Sequence, residues 1–159
     1  MAQDSTKYLV HTQDKEAQLV IKGRASYLNC MGVSEFFDTI IRAKYKNVII
    51  DLKECTGLDS TFLGIIAKLA IKLKAINGSF DCVSLTNLEE RNLEVVQNLG
   101  IDKITKIETK PQEKAQPSNF LDSLPSSKPA MLEAHKSLVE ADSNNAKKFE
   151  DVISFLSKI

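Results

Sequence analysis

The run Asp59-Ser60-Thr61 sets one carboxylate directly ahead of two hydroxyls. The Asp59 carboxylate can accept hydrogen bonds from the amides that a first helical turn leaves free, with Ser60 and Thr61 as the opening helical residues. A hydroxyl in that turn is also a candidate phosphoryl acceptor. The added charge of about −1.5 to −2 and three acceptor oxygens would be tolerated by the same free amides and by the helix dipole. On the residues alone the run reads as a plain N-cap without modification.

Other chemistry has little support in the residues. His11 and His135 are the only histidines, one in an expected edge strand and the other near the C-terminus, with no Ser or Cys motif to join them. A nucleophile triad is therefore not expected. Cys30, Cys55 and Cys82 are odd in number and lack a Cys-x-x-Cys pair, so they are expected as buried thiols rather than as disulfides or a zinc site. No Gly-x-x-x-x-Gly-Lys loop and no Gly-x-Gly-x-x-Gly after a strand is present to cradle a phosphate. Glu89-Glu90-Arg91 reads as the solvated first turn of a helix rather than a catalytic carboxylate pair. No catalytic residue, metal or cofactor is expected.

The elements that must position Asp59 and its neighbours follow from apolar periodicity. Tyr8-Leu9-Val10 and Leu19-Val20-Ile21 flank a polar turn and outline a hairpin. Val33, Phe36, Phe37, Ile40 and Ile41 share one helical face between Gly32 and Ala43. Asn47 to Leu52 is an almost continuous apolar run that suits a strand covered on both sides. Helices over Ser60–Ile76 and Leu88–Leu99 precede strands over Phe80–Leu85 and Ile104–Glu108, and Gly78 and Gly100 fall where left-handed helix stops belong. The expected fold is α/β, a mostly parallel sheet with an N-terminal hairpin and crossover helices, plus a C-terminal helical tail.

In the helix after Asp59, Phe62, Ile65, Ile66, Leu69, Ala70, Leu73 and Ile76 form one broad apolar arc. Thr61, Gly64, Lys68 and Lys72 recur at steps of three, four and four on the other side. That side is expected to be an accessible face on which another protein can reach the Thr61 hydroxyl, or else an ordinary solvated face.

The stretch Val48 to Gly64 resembles the signature of the STAS domain, found in bacterial anti-sigma-factor antagonists and sulfate-transporter tails. There a strand leads through Asp-Ser-Ser or Asp-Ser-Thr and then Gly-Leu-Gly into a helix. Asp59-Ser60-Thr61 and Leu63-Gly64 match, whereas Phe62 stands where the first Gly is usual and is placed on the core face by the helical arc. The resemblance spans roughly residues 6 to 108. It implies partner switching and reverses the preference for a plain N-cap. The unmodified protein would bind an anti-sigma factor that is also a serine/threonine kinase, phosphorylation at Thr61 (alternatively Ser60) would release it, and a metal-dependent serine/threonine phosphatase would reset it. Asp59, Ser60, Thr61, Gly64, Lys68 and Lys72 are then the expected partner-binding residues, and no catalysis by the chain is required. The alternative is a constitutive STAS scaffold in a regulatory or transport assembly.

All six glycines lie between Gly23 and Gly100, and all four prolines between Pro111 and Pro129. The expected division is a domain over 1–108, a plain extended linker over 109–128, in which Phe120, Leu121 and Leu124 as a docking spot are the alternative, and a tail over 129–159. Pro129 suits a first helical turn, and Asp142-Ser143-Asn144-Asn145 is expected to split or cap the tail. Met131, Leu132, Leu138, Phe149, Val152 and Leu156 are expected to pack against the domain or against a second copy in a homodimer. Across 159 residues, 21 basic and 21 acidic side chains cancel, which argues against a nucleic-acid binder. No run approaches the roughly 18 apolar residues of a membrane span, and the N-terminus lacks signal-peptide features, so a cytoplasmic location is expected.

Overall fold

A computed structural model of the chain describes residues 5–109, 117 and 119–158. The hairpin is present as β1 (Lys7–Gln13) and β2 (Glu16–Ala25), antiparallel with Tyr8 opposite Ile21 and Val10 opposite Leu19. Helix α1 (Met31–Arg42) leads to β3 (Asn47–Asp51), then β4 (Cys55–Leu58), α2 (Ser60–Asn77), β5 (Val83–Thr86), α3 (Glu90–Asn98) and β6 (Lys106–Glu108). β7 (Asn119–Leu121) follows, and then α4 (Lys128–Ala141), α5 (Asn145–Lys148) and α6 (Glu150–Ser157).

The strand order is β6-β5-β3-β2-β1-β7, with β4 pairing off this path onto the end of β2. The β2–β3, β3–β5, β5–β6 and β2–β4 pairs are parallel, and β1 pairs antiparallel with β2 and β7. Register brings Tyr8, Val10, Leu19, Ile21, Val48, Ile50, Val83 and Leu85 to one buried face, because side chains alternate along each strand and partners share a side. The other face is less covered: Leu9, Val20 and Ile49 are only half-buried. β3 is thus not the doubly covered strand that its apolar run suggests.

Expectations near the C-terminus meet the structure with mixed outcomes. Residues 119–121, expected within a linker, form β7 and hydrogen-bond to β1, with Leu121 packed on the core while Phe120 and Leu124 stay exposed. Residues 110–116 and 118 of that segment lie outside the described residues. The tail does divide at 142–145, and Pro129 does sit in the first turn of α4, whose N-cap is Ser127. Its contact side agrees with the expected one only in part, at Leu138, Leu156 and Phe149. Ala134, His135, Ser137 and Leu138 are the buried residues of α4, Leu156 is buried in α6, Met131, Leu132 and Phe149 are half-buried, and Val152 is exposed. Among the described residues no helix is long and apolar enough to cross a membrane.

Gly78 closes α2 in the left-handed conformation, as expected, its amide donating to the Lys74 carbonyl at 2.7 Å. Phe62 is fully buried and stacks on the Tyr8 ring, with centroids 6.0 Å apart, so the residue that departs from the usual signature is part of the core. Phe62→Ala should lower the free energy of unfolding by about 3–5 kcal/mol, read from urea denaturation of the full chain.

Candidate functional site

The site is built where β4 feeds α2. β4 lies along the end of β2, and the Asn92 amide of α3 donates to the Cys55 carbonyl at 2.9 Å, fixing the short strand from its other side. Asp59 follows in an extended conformation, its amide donating to the Ala25 carbonyl. The two carboxylate oxygens do separate jobs. Oδ1 accepts from the Phe62 amide at 2.8 Å and caps α2, while Oδ2 accepts from the Tyr27 amide at 2.8 Å and ties the helix start to the loop after β2.

Ser60 and Thr61 open the helix as expected, but in different surroundings. The Ser60 hydroxyl lies 2.9 Å from His135 Nε2, and His135 Nδ1 lies 2.8 Å from the Met131 carbonyl. A carbonyl can only accept, so Nδ1 carries a proton, and in the tautomer with that single ring proton Nε2 accepts and Ser60 donates. His135 is 3% exposed and meets the Phe149 ring edge-on. Thr61 is likewise only 3% exposed. Both hydroxyl residues border a cavity of about 500 Å³ whose other walls include Met131, Val152, Phe155 and Leu156.

The expected accessible face of α2 is covered instead. α4 lies so close that a Cβ on Gly64 would collide with the Ala134 backbone carbonyl. Lys68 is pinned between Glu133 of α4 at 2.9 Å and Asp38 of α1 at 3.0 Å. Burial is the largest single influence on the Lys68 ammonium and lowers its pKa. Together the hydrogen bonds and charges of Glu133 and Asp38 outweigh it and raise the pKa above the ordinary lysine value. Of the four residues expected on an open face, Lys72 is exposed, Lys68 is half-buried, and Thr61 and Gly64 are buried.

The structure therefore brings Ser60, Gly64 and Lys68 together beneath α4, sets Asp59 and Thr61 beside them on the adjoining cleft, and leaves Lys72 outside. His135, which the sequence joined to no serine, is the partner of Ser60 across 75 positions. One local signal did exist. Gly64 sits inside a helix, where Gly costs about 1 kcal/mol relative to Ala and so points to a packing reason. Among the described residues no group of three or more His, Cys, Asp or Glu is placed to hold a metal ion.

The STAS domain family profile matches residues 8–114. The chain belongs to the STAS domain family. No curated protein matches the sequence. Among solved structures, an anti-sigma factor antagonist from Mycobacterium paratuberculosis is similar in fold, with a TM-score of 0.56 and 19% identity over 67% of this chain and 88% of that one. A provisionally assigned anti-sigma factor antagonist from Thermotoga maritima has a TM-score of 0.51 at 19% identity, over 65% of this chain and 86% of its own. The profile match ends at residue 114, so β7 and the helices that cover α2 lie beyond the matched STAS region.

Two measurements check this arrangement. Asp59→Ala should cost about 1–2 kcal/mol of stability. Asp59→Asn should cost less, because an amide oxygen can still cap α2 but the amide nitrogen cannot accept from Tyr27; thermal melts of the two variants read the difference. All three cysteines are free and buried. Burial, helped by the Asp59 charge, pushes the Cys30 thiol up to about 12, and burial also raises Cys55 and Cys82. A thiol-reactive disulfide reagent at pH 8 should therefore count no fast-reacting thiols in the native chain and three in denaturant.

Proposed function

We propose that this STAS protein is an anti-sigma-factor antagonist acting in the cytoplasm. Its hold on a serine/threonine kinase anti-sigma factor is controlled by phosphorylation in the first turn of α2. Thr61 is the acceptor, with Ser60 as the alternative, and a metal-dependent serine/threonine phosphatase restores the unmodified form. The carrying observation is the capped helix start: Asp59 holds Ser60 and Thr61 at the N-terminus of α2 on a STAS fold. The similarity in fold to the Mycobacterium antagonist supports the reading.

The physical basis is a difference between folding and binding. A phosphate in the first helical turn meets free amides and the favourable end of the helix dipole, so the fold survives it. At a protein interface the same dianion, close to the Asp59 carboxylate, must be desolvated or repelled, and each roughly 1.4 kcal/mol lost weakens binding about tenfold. Partner exchange then needs no refolding and no catalysis by the chain. The burial of Thr61 favours a second reading, a constitutive scaffold subunit of a regulatory or transport assembly that leaves Thr61 unmodified.

Incubation of the full chain with its cognate kinase and ATP, followed by tandem mass spectrometry, separates the two. Phosphate on Thr61 or Ser60 with at least tenfold weaker kinase binding is the expected result. A Thr61→Val chain that binds the kinase but is no longer released would identify Thr61 as the switch. No phosphate on either residue, with partner binding retained, supports the scaffold.

A further inference from the structure

The surface of α2 that the proposed function needs is already occupied. α4 lies on Gly64 with the Ala134 carbonyl where a Cβ would stand, Glu133 reaches Lys68, and His135 accepts from Ser60. These contacts cover the Ser60, Gly64 and Lys68 side of the first turns of α2, and the buried Thr61 lies beside them on a cleft shared with Met131 and His135 of α4 and Phe155 and Leu156 of α6. A kinase or partner helix cannot occupy the same volume.

We propose that α4, with α5 and α6 behind it, is a displaceable cover over the start of α2, an autoinhibitory contact that must lift before any partner reaches Thr61. The inference rests on the reading of Thr61 as the partner-exchange site, and concerns how that site is regulated. The contact also describes the partner that would replace the cover. It is a helix with a small residue against Gly64 and a carboxylate one position earlier for Lys68, as Ala134 and Glu133 now provide.

Three features suit a cover rather than a permanent core element. Two of the four buried residues of α4, His135 and Ser137, are polar, so less apolar surface is lost on lifting than from a helix of ordinary composition. The cleft of about 500 Å³ between the start of α2 and α6 is open to solvent, so α6 does not pack tightly over the start of α2 there. On lifting, Lys68 keeps Asp38 as an ion-pair partner, so no charge is stranded. The cover is tethered at both ends. β7 is hydrogen-bonded to β1 ahead of it, and behind it the buried Asn145 amide donates to the Leu99 and Leu138 carbonyls at 2.9 and 2.8 Å. These tethers set the open fraction, and a partner that binds only the open form sees its affinity reduced by that fraction.

Thiol labelling at position 61 reads the cover without any partner. In a full chain carrying Thr61→Cys, maleimide labelling followed by intact mass should be slow. It should accelerate at least tenfold when Ala134→Leu forces the helices apart, and also when Asn145→Ala loosens the rear tether, a change remote from position 61. Circular dichroism should show the sheet domain folded in both. Fast labelling with the cover unaltered, or unchanged rates in both folded variants, overturns the proposal. With Thr61 restored, Asn145→Ala should bind the kinase at least tenfold more tightly than the natural sequence. Equal affinity alongside faster labelling also overturns autoinhibition. A kinase that binds no form of the chain counts against the function proposed above, and labelling still decides whether the cover opens.

Discussion

The Asp59 carboxylate is the interaction on which the site depends. One oxygen closes the first turn of α2 and the other holds the Tyr27 amide, so a single side chain fixes both the helix start and the loop that leaves β2. With those two points set, Phe62 is directed at Tyr8 in the core, Ser60 faces α4, and Thr61 borders the cleft beside it. The direction of the two hydroxyls therefore follows from a backbone cap. Nothing in their own side chains needs to orient them.

The second constraint is a lack of bulk. Gly64 allows the backbone of α4 to approach α2 closely, and that approach brings His135 within reach of Ser60 and Glu133 within reach of Lys68. The polar contacts, one ring–hydroxyl bond and one ion pair, are consequences of backbone proximity, and beside them Ala134 and Leu138 join the hydrophobic core. The ion pair fixes orientation more than it stabilises, since half-exposed ion pairs contribute modestly. That balance is what a segment needs if it is to be ordered at rest and still give way.

Much of this fold was legible in the sequence because apolar periodicity acts locally. The hairpin, α1, β3 and α2 follow from it, as do the Asp59 cap, the Gly78 stop and the division of the tail near Asn145. β4 and β7 were not legible: each is only three or four residues long, and each is defined by the strand it pairs with rather than by its own pattern. The site was legible in its residues but not in its exposure. Periodicity assigns a face to a helix without saying what lies on it, and the buried side of α4 mixes Leu138, which the apolar pattern marks, with the polar His135 and Ser137. The Ser60–His135 contact joins positions far apart in the chain and depends on a docking geometry that neither segment encodes alone.

The sheet ends in three-residue strands on both sides, β6 at one margin and β7 at the other. A margin that short offers few unpaired backbone groups for a foreign strand to template upon. By laying Asn119–Leu121 along β1, the chain also blocks the longer of its natural seams. The segment that leads to the tail thus gives the molecule a defence against edge-to-edge aggregation, independent of any signalling role.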